Sequence, residues 1–302
     1  SSTITFGYGW SAGTWSRGTW GSSATTAIAI PARLTFQDQF NNDVIYNIQD
    51  SDIFFFDYDA SISNRAVKLN TVVGSRAVPE QVGKVMFAAS GHLLALSCTS
   101  FARSTAAGQS ISSITRSGTT ATVTTGSGHN LSVYDWVDFT GQAPQVYQGE
   151  FQVLTVPSST TFTITLPYDP GGNATTTGSY VSVDYSGTLD PLLIRFANVD
   201  ATIGPEPTEW KPEVTNSAGF LRVKQGSQII TGFRTRQEVL IFTDTALSTL
   251  QFLGTEEVFA LQEISDSINI IGPKVVAEAN NVVYWMGADK FFAYDGRVNT
   301  LP

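Results

Sequence analysis

The chain has 302 residues, a net charge of −9 and only 14% charged side chains, against roughly 25% in an ordinary soluble domain. The acidic balance argues against a surface built to grip nucleic acid, and a single cysteine, Cys98, excludes an internal disulfide framework. No apolar run reaches the roughly 18 residues of a membrane helix, so we predict no stable membrane insertion.

Three tryptophans stand five residues apart among glycines near the start of the chain: Trp10, Trp15 and Trp20. Indole side chains concentrate binding energy at protein interfaces. We therefore predict an extended arm whose indoles enter pockets of a neighbouring subunit. The alternatives are packing on their own domain and a stacking platform for a ligand.

Strand signals run through the whole chain. Short segments rich in Val, Ile, Phe, Tyr and Thr are bounded by Gly, Asn, Asp or Pro, the pattern of β-strands, and the predicted class is all-β. Helical periodicity is limited to two short segments, 79–84 and 246–250. The predicted strands are 52–58, 91–97, 119–125, 151–156, 161–166, 238–243 and 282–286.

The middle of the chain differs in composition from its flanks. Residues 104–186 are rich in Ser, Thr and Gly and contain one basic residue, Arg116. Their pattern predicts four or five strands, the size of a small β-sandwich or barrel. We predict a domain inserted into a flanking fold that comprises residues 1–103, with the N-terminal arm, and 187–302.

The flanks contain a weak internal echo. Residues 53–57 and 291–296 both read as an aromatic strand that closes on an acidic turn, and residues 92–96, 238–242 and 281–285 each read as an inner strand. Without the insert these segments recur at a spacing close to the roughly 40–50 residues of a four-stranded propeller blade. The echo favours a β-propeller-like main domain over a sandwich, which could produce the same pattern.

Candidate chemistry is sparse. His92 and His129 have no His or Cys at metal-ligand spacing, and no glycine-rich loop stands at a strand-to-helix junction to hold a nucleotide. Cys98 follows His92 by six residues, so a nucleophilic pair is conceivable. Within a strand, however, that spacing says only that both side chains share a face.

Acidic pairs offer the other catalytic alternative. Glu256 with Glu257, or Asp57 with Asp59, could form a glycosidase dyad. Carboxylates near turns more often form the turn itself. We predict no catalytic residues, no metal and no cofactor, hence a protein that is not an enzyme.

Four basic residues stand out in this acidic chain. Arg222 and Lys224, and likewise Arg234 and Arg236, are spaced by two, so on strands each pair would point to one face. They could touch passing DNA phosphates or pair with carboxylates of an adjacent subunit. We favour the subunit contact.

The order of motifs in the last third resembles the tail nozzle or hub proteins of short-tailed bacteriophages, a group that includes packaged-DNA-stabilisation proteins. The glycine- and tryptophan-rich lead-in GWSAGTWSRGTWG (9–21) is similar to the start of such proteins, whereas Phe196-Ala197-Asn198 departs from their pattern. The matching motifs are DPLLIRF (190–196), EWKP (209–212), NSAG (216–219), GSQII (226–230), TRQEVLIFTDTAL (235–247), YWMG (284–287) and YDGRVNTLP (294–302).

The resemblance implies a role in the virion. It implies a propeller-like subunit in a ring of identical copies, expected to be a hexamer, below the portal and its adaptor and in contact with tail fibres or spikes. The ring would extend the DNA channel, retain the packaged genome and then conduct it at ejection, without sequence-specific binding to the DNA. The chain opens without methionine and stops after a strand-like segment, so we expect a fragment of a longer protein. The alternatives are a receptor-binding tail fibre or adhesin and a tail-associated hydrolase.

Overall fold

The structure is a computed structural model that describes residues 34–40, 42–199, 207–255 and 257–301. Within these ranges the chain forms strands and two single-turn 3-10 helices, Leu69–Thr71 and Gln145–Tyr147, and no α-helix, which confirms the all-β class. The strands are β1 Thr35–Phe40, β2 Asp43–Ile48, β3 Ile53–Phe56, β4 Val67–Lys68, β5 Val82–Phe87, β6 Leu93–Thr105, β7 Gln109–Ser117, β8 Thr120–Thr125, β9 Trp136–Thr140, β10 Gly149–Ser158, β11 Thr161–Thr165, β12 Ser179–Phe196, β13 Gly219–Arg222, β14 Ile229–Arg234, β15 Val239–Thr243, β16 Leu247–Phe252, β17 Phe259–Ser265, β18 Val276–Ala279, β19 Val282–Met286, β20 Phe291–Tyr294 and β21 Val298–Leu301.

Each of the seven predicted strands overlaps an observed one, but both predicted helices are wrong. The segment 79–84 leads into β5, and 246–250 lies mostly in β16. Residues 247–250 are all buried because β16 is covered on both faces. A short, fully buried strand cannot be told from a helix by apolar spacing alone.

Three antiparallel sheets of four strands, together with four strands of a nine-stranded sheet, form the main part of the fold, and we call these four groups blades 1 to 4. Blade 1 is β1-β2-β3-β4, blade 3 is β14-β15-β16-β17 and blade 4 is β18-β19-β20-β21, each an up-and-down meander. Blade 2 has the same plan, β5-β6-β12-β13, although β6 and β12 are far apart in the sequence. This repetition is the predicted β-propeller-like architecture.

The blades are held together by apolar seams. One buried cluster joins blades 1 and 2, another joins blades 2 and 3, and a third joins blades 3 and 4. Strand β15 shows how the sequence does this: Val239 and Ile241 face blade 2, whereas Leu240 and Phe242 face blade 4. Because side chains alternate between the faces of a strand, a run of apolar residues places the strand between two seams.

The blade 2–3 seam is tight where β14 approaches blade 2. A Cβ atom at Gly232 would lie 2.6 Å from Leu96 Cδ1 and 2.7 Å from Met86 Sδ. Both neighbours are buried, so they have little room to move. A glycine at this position therefore sets the spacing of the seam.

The middle segment closes into a six-stranded antiparallel barrel of order β12-β7-β8-β11-β10-β9 and back to β12. Its core is a separate buried cluster in which the rings of Phe139, Phe162 and Tyr180 meet with centroids 5.5–6.2 Å apart. Closure leaves the barrel without free strand edges. The strands β6 and β12 are long because each runs from blade 2 into the barrel. Independent folding of residues 104–186 stays a prediction.

Candidate functional site

The predicted arm tryptophans, Trp10, Trp15 and Trp20, lie outside the described residues. Their role at a subunit interface stays a prediction.

The predicted basic residues divide into two kinds. Arg222 on β13 donates from Nε to Asp190 Oδ2 at 2.7 Å, and Arg234 at the end of β14 lies 3.3 Å from Asp38 Oδ2. Lys224 and Arg236 are exposed and lie beyond the ends of β13 and β14. Only one member of each pair belongs to a strand, so the argument for a shared face does not apply here. The role of these four residues at a subunit contact stays a prediction.

Asp38 and Lys84 form hydrogen bonds between blades. Asp38 Oδ2 accepts a hydrogen bond from Phe87 N at 2.9 Å, which ties blade 1 to blade 2. Lys84 Nζ donates to Thr231 Oγ1 at 2.9 Å and to the carbonyl of Gly232, which ties blade 2 to blade 3. Burial lowers the pKa of Lys84 to about 8. These charges serve contacts within the chain.

The densest electrostatic site lies where the barrel meets blade 2. We call it the barrel–blade junction and define it as three cations, Arg76, Arg103 and Lys211, with Glu150, Glu209, Glu213 and Asp138. Glu150 on β10 contacts all three cations: Arg76 at 3.1 Å, Arg103 at 3.1 Å and Lys211 at 2.7 Å. One barrel carboxylate therefore binds the loop before β5, the strand β6 and the loop before β13.

The other carboxylates complete the junction. Arg76 Nη2 lies 2.8 Å from Glu209 and 3.1 Å from Glu213, while Arg103 Nη2 lies 2.6 Å from Asp138 on β9. Backbone bonds reinforce the contact, since Arg76 N donates to Thr208 O and Trp210 N donates to Arg76 O, both at 2.9 Å. Blade residues and barrel residues are thus interleaved.

The environment of Glu150 favours its charged form. Burial by itself would raise the pKa of Glu150, but the hydrogen bonds and positive charges of Lys211 and Arg103 outweigh burial and lower the pKa to about 2. Glu209 behaves oppositely: burial raises its pKa despite the hydrogen bonds from Arg76. Glu150 is therefore the carboxylate whose charge the junction requires.

Neutral contacts fix the orientation of the barrel. Trp136 Nε1 on β9 donates to Ser75 O at 2.9 Å, and Gly74 N donates to Gln152 Oε1 of β10 at 2.8 Å. The Arg76 guanidinium lies 5.4 Å from the Trp136 ring centroid, within cation–π range. Directional bonds, a stacked ring and ion pairs together hold the barrel in one position on the blade.

The residues considered for catalysis have structural surroundings. Burial lowers the pKa of His92 to about 4, and its ring nitrogens contact Ser90 and Ser217. Burial raises the pKa of the Cys98 thiol to about 12, and its sulfur contacts the carbonyls of Ala95 and Leu193. The two side chains are bonded to different partners, so they form no nucleophilic pair.

The remaining candidates also occupy structural positions. His129 Nδ1 accepts from Leu131 N, and its Nε2 bonds the carbonyl of Ser158. Asp57 accepts from Ala60 N, a turn contact. Glu256 lies outside the described residues, so its pairing with Glu257 stays untested.

The described ranges contain neither a metal-binding cluster nor a membrane-spanning helix. No group of three or more His, Cys, Asp or Glu side chains in them could hold a metal ion. None of their helices is long and apolar enough to cross a membrane.

Comparisons with known proteins give little. No family model matches the chain, and no curated protein matches it. Among solved structures, phage phi92 endosialidase aligns at 14% identity with a TM-score of 0.23, over 89% of this chain and 37% of that chain. The chain thus spans little more than a third of that structure's length, and a TM-score this low supports no inference about the chain.

Proposed function

We propose that this chain is a structural subunit of a bacteriophage tail, a nozzle or hub protein that assembles with copies of itself into a ring and conducts DNA without chemistry. The observation that carries the proposal is the fold: successive four-stranded blades with a barrel inserted in blade 2. The resemblance of the last hundred residues to tail nozzle and hub proteins implies the propeller-like part of this architecture.

Part of the resemblance is carried by core residues. Trp210 of the EWKP motif is fully buried and donates from Nε1 to Pro207 O at 2.9 Å, and Trp285 of YWMG is buried and donates to Asn269 O at 3.1 Å. The TRQEVLIFTDTAL motif spans β15, whose two faces build two seams. The similarity therefore lies in positions that determine the fold.

The charge distribution supports a conduit whose wall does not bind DNA phosphates tightly. Of the described cations, seven form ion pairs with carboxylates of the same chain, and the net charge is −9. A paired cation gains little from a phosphate, whereas each unpaired cation that binds one adds salt-dependent affinity. A protein of this kind repels DNA on average and lets it slide.

Location in the particle tests the proposal. Antibodies raised against this chain and applied to particles of the phage that encodes it should label the tail axis below the head in electron micrographs. Labelling of distal fibres would overturn the proposal in favour of a receptor-binding protein. A label absent from the virion would exclude both structural roles.

A further inference from the structure

Blade 4 is apolar on both faces, although only one face is covered by the described residues. The inner face contributes Val283, Trp285 and Phe292 to the seam with blade 3. The pairing register places a second set on the outer face, which we call the blade 4 outer face: Ala277, Ala279, Val282, Tyr284, Met286, Phe291, Ala293, Asn299 and Leu301.

The blade 4 outer face is as apolar as the buried faces between blades, but most of its large side chains are exposed. None of its nine residues is charged. The exposed fractions of Tyr284, Met286, Phe291 and Leu301 are 38%, 37%, 51% and 37%. An antiparallel sheet with one face in water normally alternates apolar and polar residues. Strand β19 does not, so its sequence is that of a sheet covered on both sides.

Blade 1 has a matching face at the other end of the series. Its inner-facing residues Ile45, Ile53 and Phe55 build the seam with blade 2. The register places another set on the opposite side, the blade 1 outer face, with Thr35, Gln37, Gln39 and Lys68 on its flanking strands and five apolar residues at its centre: Val44, Tyr46, Ile48, Phe54 and Phe56. These five residues are half-buried and belong to none of the buried clusters of the described chain.

The three observed seams show which kind of face packs against which. In each seam the later face of one blade packs against the earlier face of the next. The blade 4 outer face is a later face, and the blade 1 outer face is an earlier one. One copy of the chain therefore has both faces that a fourth seam of the same kind would need. Within the described residues these two faces belong to no common buried cluster.

We propose that the blade 4 outer face binds the blade 1 outer face of a second copy of this chain. The contact is head-to-tail, since the two surfaces are different, and it continues the series of blades from one copy into the next. Contacts of this type close into a ring when the rotation allows. The proposal deepens, and rests on, the self-assembly in the proposed function, because it names the surfaces through which copies meet.

The test uses one variant on each face. Phe291→Asp with Tyr284→Asp places charges on the blade 4 outer face, and Phe54→Lys places one on the blade 1 outer face. In sedimentation velocity the unaltered chain should be an assembly and each variant a monomer. A 1:1 mixture of the two variants should give a heterodimer and nothing larger, because each variant retains one intact half of the seam.

Controls separate misfolding from lost contact. Tyr168→Asp alters a side chain that is 61% exposed on a barrel loop, and it should leave the assembly unchanged. Where Phe54→Lys melts early, the milder Phe56→Ser takes its place. If the unaltered chain is a monomer, both this proposal and self-assembly in the proposed function are overturned. An assembly insensitive to both variants, or variants that do not pair when mixed, overturns the proposal and leaves self-assembly through another surface standing.

Discussion

Replacing Glu150 by Gln should loosen the barrel from blade 2. The substitution preserves size and removes the one carboxylate shared by Arg76, Arg103 and Lys211. A pKa lowered from 4.5 to about 2 corresponds to about 3 kcal/mol. Because the junction is partly open to water, screening reduces the expected loss of unfolding free energy to about 2 kcal/mol at pH 7.

The pH dependence gives the sharper test. A carboxylate whose folded pKa is depressed stabilises the fold above its unfolded pKa, and that stability is lost as the pH falls from about 4.5 to about 2. Urea unfolding, which adds no salt, should show a smaller loss of stability over this interval in Glu150→Gln than in the unaltered protein. Glu263→Gln, at an exposed position of β17, is the matched control. Equal stability of the two variants at pH 7 would refute the role given to the junction.

Three further outcomes are expected. Deleting residues 104–186 and joining the stubs of β6 and β12 with a short turn should leave a cooperative thermal transition, because blade 2 keeps its four strands; a gradual melt would contradict this. Gly232→Ala should lower the unfolding free energy by about 1–3 kcal/mol through overpacking of the blade 2–3 seam, measured in urea. Charge reversal at both Arg234 and Arg236 should impair assembly in sedimentation experiments, since the first would then oppose Asp38. DNA affinity in a filter-binding assay should stay unchanged, and altered DNA retention with normal assembly would place these arginines in the channel.

The blade repeat could be predicted from the sequence because it depends on local patterns. The echoing segments 53–57 and 291–296 correspond to β3 and β20, the third strands of blades 1 and 4. The segments 92–96, 238–242 and 281–285 correspond to β6, β15 and β19, the second strands of blades 2, 3 and 4. Strands at equivalent positions in a blade require the same pattern of apolar residues, and this pattern can be recognised in the sequence alone.

The barrel–blade junction could not be predicted in this way. Glu150 is separated from Arg76 by 74 residues and from Lys211 by 61. Each residue alone reads as an ordinary surface charge, and only the pairing of β6 with β12 brings them together. The basic residues singled out from the sequence were conspicuous locally, whereas Arg76, the cation with the most carboxylate partners in the described ranges, had no local signal.

The shared strands β6 and β12 also constrain the order in which the chain folds. During synthesis β5 and the first half of β6 emerge long before β12, so blade 2 must wait for the whole barrel segment. Closing a long loop costs conformational entropy, but a folded barrel holds Thr105 beside Val183 and Ser104 beside Asp184. The barrel then delivers β12 already aligned to its partner. If residues 104–186 fold on their own, as predicted, blade 2 and the seams on either side of it can form as soon as the ribosome releases that strand, and the barrel would then act as a nucleus for the centre of the molecule.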